Sequence, residues 1–200
     1  AWDGTRWQED QVGKALLLAG DTARSILEEA SACDDSGRRK ELSNWSFASE
    51  HRSRLEAMVT LAKSQPALAV TTAQLDTDPW LLNTSAGTLD LRTGLLRPHR
   101  REELITKIAP GHYYPYPQYP LMDAFLLRIL NEDTAVSAYL ARFFGYSLCG
   151  AIELQYLPIL QGVGSNGKSV FMDTIKGIMG DYACDAPPSL LVKTGRDEHP

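Results

Sequence analysis

Residues 162–169 read Gly-Val-Gly-Ser-Asn-Gly-Lys-Ser and fit the pattern G-x-x-x-x-G-K-[ST]. The pattern constrains the fold because its chemistry needs a strand, a glycine loop and a helix in that order. Upstream, Leu157–Leu160 is a short apolar run, which predicts a buried strand. Downstream, Val170, Phe171, Ile175, Ile178 and Met179 recur at helical spacing, and Gly180 stands where a helix would end.

Each position has a physical role to fill. Gly162, Gly164 and Gly167 let the backbone turn tightly and approach phosphate oxygens. The loop N–H groups, Ser165 among them, then face a concave anion site at the positive end of the following helix. Lys168 is the candidate catalytic residue, a compact charge for the β- and γ-phosphates. The Ser169 hydroxyl is positioned to ligate Mg²⁺ bridging the same phosphates. Asn166 either donates towards the phosphates or braces the loop, and the pattern does not choose between them. The expected cofactors are ATP and Mg²⁺.

The rest of the chain reads as α+β. Val12, Ala15, Leu16, Ala19, Ala23, Ile26, Leu27 and Ala30 form a stripe that predicts a helix over 10–32. Residues 33–43 are polar and read as a loop, and a second helix is expected over 46–64 with Phe47, Leu55, Met58, Val59 and Ala62 inward. Over 80–98 the period changes. Trp80–Leu82, Thr88–Leu91 and Leu95–Arg97, separated by turns at 83–87 and 92–94, predict a small β-meander. Prolines 110, 115, 117 and 120 forbid a regular helix there, and the interleaved Tyr113, Tyr114, Tyr116 and Tyr119 read first as a clamp on an extended connector and second as platforms for stacking bases. Two more helices follow, one through Leu121–Leu130 and one through Ala135–Phe144.

Composition narrows the function classes. A formal net charge of -5 argues against a dedicated duplex-DNA module, whose footprint is strongly basic. The basic runs Arg38–Lys40 and Arg97, His99, Arg100 and Arg101 read first as solvated charge and second as phosphate contacts. Cys33, Cys149 and Cys184 lack metal-type spacing and read as reduced thiols, which suggests a cytoplasmic setting. No apolar stretch approaches the ~20 residues needed to cross a bilayer, so no membrane partner is expected.

Several stretches together resemble the C-terminal part of phage and plasmid primases, the group that includes the poxvirus primase-helicase and superfamily 3 helicases. They are Trp2–Trp7, Leu75–Asn83, Gly87–Gly94, Tyr114–Pro120 with Phe125 and Leu126, Gly145–Gly150, and Gly162–Phe171. The resemblance implies a helical linker domain over 1–150, with the meander inside it. It implies the start of an AAA+-like α/β P-loop ATPase over 151–200. It also implies a ring, most simply a hexamer, that hydrolyses ATP and unwinds DNA during replication. Two positions depart from the pattern: Tyr119 where a cysteine is expected, and Cys149 where a threonine is usual. The chain is expected to be a fragment of something longer, with the Mg²⁺-holding acidic strand, the polar sensor and the arginine finger beyond residue 200. The alternative reading is a non-catalytic interaction or oligomerisation module. A small-molecule kinase is disfavoured because ~160 residues precede the loop.

Overall fold

The computed structural model describes residues 1–115 and 118–190. Tyr116 and Pro117, expected in the connector, lie outside the described residues. The chain divides into two compact units, one of residues 1–3 and 7–75, the other of residues 4–6 and 76–200.

The first unit is helical: α1 (Lys14–Ser31), α2 (Ser36–Ser49) and α3 (Arg52–Ala62). Helix α1 starts where it does because the Asp10 carboxylate accepts from the Lys14 and Ala15 amides at 2.7 and 2.8 Å, while Gly13 turns through φ 72. The Ala15 amide and then the Lys14 amide hold this carboxyl below its ordinary 3.8. Residues 36–43 correct the expected loop. Asp35 accepts from the Arg38 amide at 2.7 Å and so caps a helix that begins at Ser36. The helix expected over 46–64 is broken at Glu50–His51, where His51 turns extended and starts α3. No glycine or proline marks that break, and the neighbouring Ser46 and Ser49 are buried.

The α1–α2 contact is made by small residues. Ala19, Gly20, Ala23 and Ala30 of α1 are buried, as are Ser46 and Ser49 of α2, and Ser46 Oγ donates to the Ala23 carbonyl at 2.7 Å. Backbones that approach this closely leave no room for long side chains. Phe47, expected inward, is therefore 64% exposed, while Val12 of the expected stripe lies before α1 and is 83% exposed.

The second unit carries the antiparallel sheet β1 (Leu81–Thr84), β2 (Gly87–Asp90) and β3 (Leu95–Arg97), in the expected meander order. Leu82 pairs with Leu89 and Leu89 with Leu96. The first turn is tighter than expected: Asn83 and Thr84 belong to β1, leaving Ser85 and Ala86 to turn. Gly87 is required there, since a Cβ would sit 2.4 Å from the Arg97 carbonyl oxygen. Leu82, Leu89 and Ala109 form the core, with Leu91, Tyr113, Leu148 and Tyr182 packed around it. Tyr113 thus clamps the connector as expected, whereas Tyr114 and Tyr119 are more than half exposed.

Asn83 is fully buried beneath this sheet. Its Nδ2 donates to the carbonyls of Thr5 and Lys107 at 3.0 and 2.9 Å. With both amide hydrogens used, its Oδ1 must accept from His99 Nδ1 at 2.9 Å, which assigns the proton to that ring nitrogen. Its backbone N–H donates to the Tyr182 hydroxyl at 3.1 Å, and its carbonyl accepts from Ala109 at 2.8 Å. Much of the basic charge is engaged internally. Arg97 contacts Glu103 at 2.5 Å, Arg101 meets Glu102 at 2.9 Å, and Arg39 donates to the Cys33 carbonyl.

Helices α4 (Pro120–Ile129) and α5 (Thr134–Tyr146) follow, the first opened by Pro120, the second capped by Asp133. Helix α6 (Lys168–Met179) completes the described α-helices. None is long and apolar enough to cross a membrane.

Two outcomes test this account. Ala23→Leu is expected to lower unfolding stability by about 1–3 kcal/mol in urea, by overpacking the α1–α2 seam, while Leu17→Gln on the exposed side changes it by less than about 0.5 kcal/mol. Because the Asp10 value is depressed in the folded chain, its cap is present above 3.8 and lost as pH falls through the folded value. The Lys14 and Ala15 amide chemical shifts should titrate below 3.8, and Asp10→Ala should abolish that titration.

Candidate functional site

Residues 152–160 run exposed towards the loop, and the strand expected at Leu157–Leu160 does not form. A strand exists by its ladder, and among the described residues no segment pairs with this one. Leu157 and Ile159 are accordingly 68% and 82% exposed.

The loop itself is built. Its backbone enters the left-handed region at Ser165, φ 58, and at Gly167, φ 81, and Gly167 then caps α6. Lys168 Nζ donates to the Gly162 carbonyl at 3.0 Å, the Val163 carbonyl at 3.2 Å and Asn166 Oδ1 at 2.7 Å. The three hydrogens of the ammonium are thereby all directed into the loop. Asn166 braces: with its Oδ1 on the lysine, its Nδ2 lies against Gly162, where a Cβ would come within 2.2 Å. Gly164 has open space and no left-handed backbone, so nothing here demands glycine at that position. Ser169 stands exposed on the first turn of α6, next to the lysine. The seven candidate residues therefore lie on one continuous loop and helix start.

Helix α6 is held at both ends. At its start, a Cβ on Gly167 would lie 2.7 Å from Ile129 Cγ2 and 3.2 Å from the Phe125 ring, so α4 lies directly against the loop. Phe171 is buried and meets Phe144 of α5 edge-on, centroids 5.1 Å apart. At its end, Gly180 adopts φ 53 with space for a Cβ closed by Pro110 Cδ at 2.4 Å and the Ile108 carbonyl oxygen at 2.9 Å. The Asp181 carboxylate pairs with Arg6 and accepts from the Ile108 amide at 3.1 Å. Tyr182 accepts from Asn83, and burial raises its phenol above the ordinary value, partly offset by that bond. Sequence reasoning missed Asp181, Tyr182 and Asn83, since nothing local marks residues separated by about a hundred positions as partners.

The site offers donors suited to a polyphosphate: the Lys168 ammonium, the first-turn amides of α6 and the Ser169 hydroxyl. The glycines fit this use, because Gly162 and Gly167 leave their Cβ positions to Asn166 and α4. Among the described residues no group of three or more His, Cys, Asp or Glu side chains is placed to hold a metal ion. An ion here would depend on Ser169 and on the phosphates themselves. Gly167→Ala and Gly180→Ala are each expected to cost about 1–3 kcal/mol of stability in chemical denaturation, with α6 losing protection first in amide exchange.

No curated protein matches the chain in sequence comparison. Residues 1–131 match the family described as D5 N terminal like, which is well over half of the chain. Residues 162–169 lie outside the matched span. The match takes in the sheet, the Asn83 hub and α4, so the chain belongs to the D5 N-terminal-like family, the N-terminal region of phage- and poxvirus-type primase-helicases.

Proposed function

We propose that Gly162–Ser169 binds a nucleoside triphosphate, ATP with Mg²⁺, within a replicative primase-helicase. The carrying observation is Lys168, whose ammonium is held by three oxygen acceptors inside a glycine loop at the start of α6. Phosphate oxygens replace those acceptors at little cost, because a charge-assisted bond to an anion is stronger than one to a carbonyl. Lys168 then bears on the β- and γ-phosphates, the α6 amides fix their orientation, and the Ser169 hydroxyl is the metal-side ligand. Mg²⁺, when bound, neutralises charge developing on the phosphates.

On this reading the boundary near 150 separates a helical linker module from the beginning of an AAA+-like ATPase. Hydrolysis and DNA unwinding belong to a larger ring, most simply a hexamer, working in the cytoplasm on replicating DNA. A ring suits ATP chemistry because each site can borrow a residue from its neighbour. A second reading, a non-catalytic docking module, draws on the exposed Leu17, Trp45 and Phe47 of the first unit.

Calorimetric titration of Mg·ATP separates the two. Lys168-dependent binding is expected, with Lys168→Ala weakening it at least about tenfold, the loss of roughly one charge-assisted contact. Equal heats for both proteins would leave the docking module as the better reading.

A further inference from the structure

The motif Gly145–Gly150, at the end of α5, is not used by the phosphate site as described above. The structure gives its side chains and backbone specific partners. Tyr146 Oη donates to the Ala151 carbonyl at 3.1 Å and accepts from the Glu153 and Leu154 amides at 2.8 and 3.0 Å. One donor and two acceptors exhaust what a phenol offers. Cys149 Sγ accepts from the Ala151 amide at 3.3 Å. Leu148 packs on the sheet core. The Gly150 amide donates to the Pro79 carbonyl at 2.8 Å, and a Cβ there would lie 3.3 Å from Pro79 Cα.

Four backbone groups of residues 151–154 are thus satisfied by two side chains of this motif. That is unusual for a run with no ladder partner. Burial does little to hold it: Ile152, Leu154 and Tyr156 are all more than half exposed. A cavity of about 530 Å³ is lined by these residues together with Tyr139, Phe143 and Tyr146. Directional hydrogen bonds therefore hold residues 151–154, and with them the start of the run that leads to Gly162.

We infer that Gly145–Gly150 is a latch that sets the phosphate loop relative to the sheet, with Tyr146 as its positioning residue. This rests on the nucleotide reading above and deepens it. The loop is fastened on its downstream side through α6 and on its upstream side through Tyr146. Loosening the upstream side lets residues 151–161 swing, and the Lys168 acceptors Gly162 and Val163 move with them. Cys149 is a weak acceptor, and a threonine hydroxyl at that position is a better one.

Tyr146→Phe removes all three bonds and keeps the ring. In the full 200-residue chain, amide exchange and Mg·ATP calorimetry are read together. Exchange at Glu153 and Leu154 is expected to accelerate at least tenfold, exchange at Leu82 and Leu89 to stay unchanged, and Mg·ATP affinity to fall five- to tenfold. Cys149→Thr should retain affinity, and Cys149→Ala should lower it about twofold. Faster exchange at 153 and 154 with unchanged affinity overturns the positioning role, and unchanged exchange overturns the latch itself. If the unsubstituted chain binds no Mg·ATP, the nucleotide reading is what fails. The latch is then decided by the backbone amide chemical shifts of Gly164–Ser169, which Tyr146→Phe must move for it to stand and leave unchanged for it to fall.

Discussion

A single buried amide, that of Asn83, carries the second unit. Burying a primary amide costs free energy unless every donor and acceptor is matched, and here each is: two carbonyls, an imidazole N–H, a tyrosine hydroxyl and a backbone amide. The partners come from Thr5, His99, Lys107, Ala109 and Tyr182. One side chain and its own backbone thereby tie the N-terminal turn, the sheet, the segment beside β1 and the end of α6. Such a network tolerates little rearrangement, because losing one partner strands a buried polar group.

Helix α6 inherits this rigidity. Its far end is joined to the hub by Tyr182 and to the 108–110 backbone by Asp181 and Gly180. Its near end rests on Phe125 and Ile129 of α4. A twelve-residue helix held at both termini fixes where Lys168 and Ser169 stand. Their position is therefore set by residues within the family-matched span, although the loop lies outside it.

The first unit works by a different rule. Its helices meet through alanine, glycine and serine, so the contact is close and its specificity comes from fit and from the Ser46–Ala23 hydrogen bond. Large side chains such as Leu17, Trp45 and Phe47 face outwards.

Local chemistry made part of this legible. The meander could be read because turn residues within 83–87 and 92–94 separate short apolar runs, although only pairing narrowed the first turn to Ser85 and Ala86, and α6 because its apolar positions keep helical spacing up to Gly180. The loop residues that surround Lys168 were named from spacing alone. Residues 34–37 misled because an aspartate that caps a helix and one that makes a turn use the same side-chain-to-backbone bond. Phe47 misled because apolar periodicity marks a stripe without saying which stripe two helices will choose. Leu157–Leu160 misled because an apolar run predicts burial, yet a strand is made only by its neighbours. The sequence by itself determined where the glycine loop at 162–169, the meander and most α-helices lie, since these follow from bonds made within a few residues. The tertiary structure alone decided that Asn83 is the hub, that Asn166 braces Lys168, that Asp181 meets Arg6 and Ile108, and that Tyr146 meets residues 151–154. Each of those depends on side-chain geometry, or on groups far apart in the chain, that no local pattern encodes.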